Sequence, residues 1–361
     1  MNLTPIVVGL SWLALPLVVI CVLDDWLLRP ARQIKALPGV ASDSPLMRIA
    51  YWMLPVTILA AIWRLLTAED ADFSLVLLLI TAISGLVWLI DSKWLGPRRV
   101  AQALASGKDI AAVPESGTLD YARSFFPVAA VLLVLRSFLF EPYRIPSDSM
   151  MPTLLDGDFI VVNKFAYGLR LPVWHTKIAS FGLPKHGDVV VFRWPPKPSI
   201  NFIKRVVGLP GDHVEVRSDR LIINGKDVPF IEVERFNDGC YVNFQLVEEQ
   251  LGEHKHQALH CVTNGPMGIS RLPGCDRDIN ENYECRETPP EMGPDANDAV
   301  IDIPAGKYLM IGDNRDNSLD GRRWGLVDES LLVGRASRIW FNWDWQRSGG
   351  PKWSRIGKKI D

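Results

Sequence analysis

The chain has no strong charge of either sign. Over 361 residues, 39 lysines and arginines face 41 aspartates and glutamates, a formal net charge of −2. That balance removes the electrostatic case for a nucleic-acid partner, which calls for a cationic face. Familiar catalytic signatures are missing as well. No Gly-x-Ser-x-Gly turn, Ser-x-x-Lys helix motif or His-Glu-x-x-His metal motif occurs. The six histidines (His175, His186, His213, His254, His256 and His260) share no local motif with a serine and a carboxylate. A Ser-His-Asp triad could still form from distant positions. Cysteine is sparse, with five in all. Cys21 lies in an apolar run and reads as an inert buried thiol. Cys240, Cys261, Cys275 and Cys285 fall in one polar stretch. An even, confined set suggests one or two disulfides and an oxidising compartment, with Cys275–Cys285 the first candidate pair. Four reduced thiols are the alternative.

Charge is also absent from long apolar runs. Residues 3–23 and 73–90 carry none. Residues 46–66 hold only Arg48 and Arg64 near the ends, and residues 124–140 only Arg136, also near an end. A spanning helix needs about 20 apolar residues, so four transmembrane helices are expected in a membrane region covering residues 1–140. Fewer spans, with the middle two buried or re-entrant, is the alternative. The 13 tryptophans include Trp52, Trp63, Trp88 and Trp94 near the expected membrane edges, where amphipathic rings favour the interface. The loops set an orientation. Arg29, Arg32 and Lys35 follow the first span, and Lys93, Arg98, Arg99 and Lys108 follow the third. The loop after the second holds Glu69, Asp70 and Asp72 with no Lys or Arg. The positive-inside rule puts the first and third loops in the cytoplasm and everything after residue 140 outside. The first run lacks a basic leader and is too long for a cleavable signal core.

From residue 141 onward, short apolar runs alternate with turn signals. Residues 158–162 and 188–192 read as buried strands, each entered through a Gly-Asp turn, and residues 308–311 as another. Leu221-Ile222-Ile223 leads into the hairpin signal Asn224-Gly225. The expectation is a mainly-β, barrel-like extracytoplasmic domain over residues 141–361. Residues of about 230–300 are polar, cysteine-bearing and poor in clear strands, and read as an insertion.

Three segments carry the chemistry. Residues 144–154 (Arg-Ile-Pro-Ser-Asp-Ser-Met-Met-Pro-Thr-Leu) place Ser147 and Ser149 just beyond the last apolar run. Residues 202–207 hold Lys204, and residues 312–325 form a loop dense in Asp, Asn, Ser and Arg. None contains a histidine, so a serine nucleophile here needs a lysine as its base. On a strand, Phe202, Lys204 and Val206 share a face, and apolar neighbours there would strip water from the amine and lower its pKa. Arg205 is excluded because a guanidinium does not deprotonate. The same Lys-Arg pair also suits a solvated strand, and the 312–325 loop a plain hydrogen-bonded turn. A calcium loop fails there, since its twelfth position is Val327. His254, His256, His260 and Cys261 could hold a metal in principle, but at no standard spacing.

Taken together, order and placement resemble bacterial type I signal peptidase, the Ser-Lys leader peptidase family. The likeness runs over residues 122–165, 187–192, 202–212, 312–340 and 354–357. It implies that Ser149 is the nucleophile and Lys204 the general base. Ser147 would complete an oxyanion hole with the Ser149 backbone N–H. Ser318 would orient the lysine, and Asp320 and Arg322 would support the site as an ion pair. The family's serine after that aspartate is Gly321 here. Ile145, Pro146, Met150, Leu154 and Ile203 would wall the pockets for small substrate side chains. The family commonly has two spans, so the extra apolar pair is a departure. The implied substrates are the signal peptides of exported pre-proteins. The implied setting is the bacterial cytoplasmic membrane, with the catalytic domain facing the periplasm or exterior and transient contact with the export machinery. No cofactor, metal or nucleic acid is called for. Two rivals are a self-cleaving Ser-Lys regulator of the LexA type, against which the membrane-like N-terminal third argues, and a non-enzymatic membrane-tethered binding domain.

Overall fold

An uncharged apolar run in lipid can satisfy its backbone only within itself, which makes the helix the expected form for the N-terminal third. The computed structural model describes residues 4–28, 45–67, 73–105, 117–217, 220–238, 241–260, 298–343 and 350–360. Two compact units are distinguished, Met1–Arg136 and Ser137–Asp361. The first contains helices α1 (Thr4–Leu23), α2 (Pro45–Thr67), α3 (Phe73–Ile90), α4 (Gly96–Ala105) and α5 (Gly117–Val134). Among the described residues, the helical stretches Ser74–Ala101 and Leu119–Leu139 are long and apolar enough to cross a membrane. Val8–Leu23 and Pro45–Ala61 are shorter apolar helices. Gly85 permits close packing of α3 on α5, since a Cβ there would stand 2.6 Å from the Phe126 ring. Leu15, Trp52 and Leu59 remain exposed, the reverse of a water-facing helix surface.

The second unit is built of strands, in chain order β1 (Phe140–Arg144), β2 (Asp158–Asn163), β3 (Leu169–Arg170), β4 (Lys177–Ala179), β5 (Val189–Arg193), β6 (Asn201–Gly208), β7 (His213–Arg217) and β8 (Arg220–Ile223). There follow β9 (Lys226–Asp227), β10 (Phe230–Asp238), β11 (Tyr241–Leu251), β12 (His254–His260), β13 (Asp298–Asp302), β14 (Lys307–Ile311), β15 (Val327–Asp328) and β16 (Leu332–Asn342). A one-turn helix, α6 (Gly321–Trp324), lies between β14 and β15. Seven strands make the main curled sheet in the order β1-β2-β16-β5-β6-β14-β15. Its two edge strands, β1 and β15, do not pair with each other among the described residues, so the sheet stays open where a barrel was expected.

The apolar runs at β2 and β5 follow their Gly-Asp turns as expected, and the runs at residues 202–207 and 308–311 form β6 and β14. Asn224 and Gly225 turn the β8–β9 hairpin with φ of 53° and 73°, the left-handed pair that such a two-residue loop demands. Alternation along β5 feeds two cores. Val189 and Val191 pack with Ile145, Met150, Leu154 and Ile203. Val190 and Phe192 pack with Val206, Tyr308 and Met310. Lys204 is therefore carried by a strand, β6, whose residues enter both cores and which pairs with β5 and β14.

One expectation fails. The stretch taken as a strand-poor insertion opens with three antiparallel strands, β10-β11-β12. In the β10–β11 pair, register shifts between Glu232 and Glu234 and between Phe236 and Asp238 break the period of two, while β12 pairs with β11 in unbroken register. Residues 261–297 lie outside those described.

The base of the segment bearing Ser149 is fixed by a buried charge. Asp158 receives Arg355 Nε at 2.8 Å and Nη2 at 2.5 Å, Asn342 Nδ2 at 2.8 Å and the Leu155 N–H at 2.8 Å. Arg355 Nη2 also donates to the Thr153 carbonyl at 2.9 Å. Arg355→Met should therefore destabilise this unit by about 3–5 kcal/mol, the cost of leaving a buried carboxylate uncompensated. Chemical denaturation monitored by tryptophan fluorescence checks this.

Candidate active site

Residues 145–158 form a loop tied at its neck, where Ile145 N donates to the Asp158 carbonyl at 2.8 Å and Gly157 N to the Ile145 carbonyl at 3.0 Å. Apolar side chains anchor the loop: Ile145, Met150 and Leu154 sink into the core that holds Ile203. Polar Ser147 stays exposed and Ser149 half-buried. The expected pocket residues thus divide, with Pro146 exposed and the other four buried in one cluster.

Ser149 Oγ lies 2.5 Å from Lys204 Nζ and 3.5 Å from Ser147 Oγ. Lys204 is 3% exposed, with its Nζ 5.5 Å from the centre of the Phe202 ring. Burial pulls the amine pKa down to about 8. The Asp320 and Asp313 carboxylates oppose that fall, and the Arg322 charge adds to it. Burial is the largest of these effects, so the net shift is downward.

The first ion pair here is Asp320–Arg322. Arg322 Nε donates to Oδ1 and Nη2 to Oδ2, both at 2.9 Å, and Gly312 N also donates to Oδ2 at 2.9 Å. Burial alone would raise the Asp320 pKa, but the Arg322 charge and these bonds hold it below its ordinary value. The second pair is Arg205–Asp313, with Nε to Oδ1 at 2.8 Å and Nη2 to Oδ2 at 2.7 Å. Thr153 Oγ1 donates to the same carboxylate at 2.6 Å, which links it to the Ser149 loop. Asp313 is likewise held low against its burial, first by the Arg205 charge. Sequence reasoning placed Arg205 only as an excluded base and missed Asp313. No local pattern joins two residues 108 positions apart.

The polar loop after β14 braces Ser149 directly. Asn314 N donates to the Ser149 carbonyl at 3.1 Å, and Asn314 Nδ2 to the Asp148 carbonyl at 3.0 Å. Ser318 is buried within this loop, and among the described residues its hydroxyl makes no hydrogen bond. It is near enough to the Asp320 carboxylate to help hold that group's pKa down. The orienting bond to Lys204 that the resemblance implies is thus not made here.

The histidines go elsewhere. His254 Nε2 stands 3.7 Å from Asp188, and His256 and His260 stand 3.3 and 3.9 Å from the Glu249 carboxylate. Among the described residues, no group of three or more His, Cys, Asp or Glu side chains is placed to hold a metal. Cys240, Cys261, Cys275 and Cys285 lie outside the described residues. In chemical terms, a hydroxyl beside a shielded amine, with a second hydroxyl nearby, suits acyl transfer.

Gly312 is where this arrangement tolerates least. A Cβ there would come within 2.5 Å of the Ser149 carbonyl and 2.2 Å of Ser318 Oγ. Gly312→Ala should displace the serine and cut turnover by about 100-fold, as small misplacements of reacting groups do. Steady-state kinetics on the folded variant checks it.

Three comparisons bear on this geometry. The sequence model described as signal peptidase, peptidase S26, matches residues 118–343. A signal peptidase I of Pseudomonas aeruginosa is 39% identical over 307 residues, covering 79% of this chain and 98% of that protein. One of Haemophilus influenzae is 30% identical over 334 residues, covering 80% and 92%. A family pattern that spans well over half the sequence, with relatives aligned across nearly their whole length, places this chain in the signal peptidase family, peptidase S26.

Proposed function

We infer that this protein is a membrane-bound serine endopeptidase that removes signal peptides from pre-proteins, with Ser149 as nucleophile and Lys204 as general base. The observation that carries the assignment is the 2.5 Å approach of Ser149 Oγ to an amine that is 3% exposed. Magnitudes favour it. With a pKa of about 8, roughly one amine in ten is uncharged at pH 7, against roughly one in 3,000 for an ordinary lysine.

The neutral amine takes the Ser149 proton as Oγ attacks the scissile carbonyl. The Ser149 N–H and the Ser147 hydroxyl receive the developing oxyanion. Collapse of the adduct breaks the C–N bond, and the proton on Lys204 passes to the departing amine. Water, deprotonated by the same lysine, then hydrolyses the acyl-enzyme. Asp320 and Arg322 support the base as an ion pair, and Ser318 acts on the Asp320 carboxylate rather than on the lysine. Ile145, Pro146, Met150, Leu154 and Ile203 bound shallow sites for small side chains.

The membrane arrangement belongs to the same reading. Four apolar helices cross the cytoplasmic membrane, with the basic loops inside and the catalytic unit outside. The substrate's apolar core rests in the bilayer, and contact with the export machinery is transient. The charge pattern of the loops supports this orientation. Cysteine labelling from either side of sealed vesicles tests it, and a cytoplasmic catalytic unit would sink it.

Ser149→Ala and Lys204→Met should each abolish cleavage of a pre-protein while the chain still folds. Normal turnover by either would refute the dyad. The amine must be neutral to act, so kcat/KM should be low below the Lys204 pKa and rise with pH through about 8. A pH–rate profile without a rise in that region would contradict Lys204 as the base.

A further inference from the structure

The three-stranded sheet β10-β11-β12 packs under the reacting serine. Leu259 of β12 and Phe244 and Leu246 of β11 bury with Met151 and Leu155, which follow Ser149 in the chain. Leu259 N donates to the Asp313 carbonyl at 2.8 Å, and Leu259 bridges to Asn314 in parallel.

A buried ion pair joins the same two regions. Glu249 of β11, 2% exposed, receives Arg315 Nη1 at 2.6 Å on one carboxylate oxygen and Arg315 Nη2 on the other. Arg315 stands between Asn314, which holds the Ser149 carbonyl, and the Asp320–Arg322 pair. Its own backbone carbonyl accepts from Arg322 Nη2. His256, the cross-strand partner of Glu249, stands 3.3 Å from the same carboxylate. Glu249 is held well below its ordinary pKa despite its burial, the Arg315 charge being the largest cause of that lowering. It is therefore a carboxylate anion wherever the enzyme works. A bidentate guanidinium–carboxylate pair fixes direction as well as distance.

We propose that Glu249 is a positioning residue for peptide cleavage: by clamping Arg315 it fixes the 312–322 loop, and through that loop the Ser149 backbone and the carboxylate behind Lys204. The proposal rests on the Ser149–Lys204 assignment. It gives the β10-β11-β12 sheet a part in the chemistry. Glu249 touches neither serine nor lysine in this account and acts only through Arg315.

The test is a double-mutant cycle on the full-length protein in detergent or proteoliposomes, with Ser149→Ala and Lys204→Met measured alongside. Glu249→Gln keeps the side-chain volume and removes the charge. Arg315→Lys keeps the charge and removes the fork. Each should lower kcat by about tenfold with KM changed less than about twofold, and the double variant should also lose about tenfold rather than about 100-fold, because both act through one contact. Thermal melts give the folded fraction, and rates are referred to it. Should Glu249→Gln fail to fold, Glu249→Asp together with Arg315→Lys carries the same comparison. A folded Glu249 variant with unchanged kcat, or losses that multiply in the double variant, would overturn the positioning role while leaving the dyad intact. Turnover by Ser149→Ala or Lys204→Met would overturn both.

Discussion

The constraint on which the site depends is the removal of water from one amine. A lysine at the surface holds its proton too firmly to serve as a base at neutral pH. Lys204 loses that grip because β6 carries it between two apolar cores. Burial alone would achieve little if the nearby carboxylates were free, since each would draw the proton back. Asp313 and Asp320 are committed instead to Arg205 and Arg322. Their fields still push the amine pKa up, but by less than burial pulls it down, and the Arg322 charge adds to the fall. The stability such buried pairs contribute is small on balance.

Neighbouring residues on β6 show the same chemistry from two directions. Arg205 cannot lose its charge, so it can be buried only with an anion, and Asp313 with Thr153 provides one. Lys204 can lose its charge, and its close polar neighbour is a neutral hydroxyl. The sequence offers two adjacent cations, while the fold makes one a permanent strut and the other a titrating group.

Much of this was readable in advance. The strands at residues 158–163 and 189–193 announce themselves through apolar runs behind Gly-Asp turns, that at 307–311 through its apolar run alone, and Asn224-Gly225 names its own hairpin. Lys204 stands out as the deprotonatable base of three histidine-free segments, while the roles of Ser149, Asp320 and Arg322 follow from the family pattern. Periodicity alone would have left Lys204 on a surface strand. The Arg205–Asp313 and Glu249–Arg315 pairs were not readable, because each joins segments whose approach is a property of the sheet order. Nor were β10 and β11, whose register shifts scramble the alternation that marks a strand. The close approach of Gly312 to the Ser149 carbonyl likewise has no local signature.

Ser147 and Pro146 stand exposed at the rim, while Lys204 lies beneath them in the protein interior. The enzyme therefore leaves its last wall unbuilt. A polypeptide lying across that rim meets an amine that is already shielded from water. Binding therefore has nothing to switch on, and an empty site already holds a low-pKa amine beside the Ser149 hydroxyl.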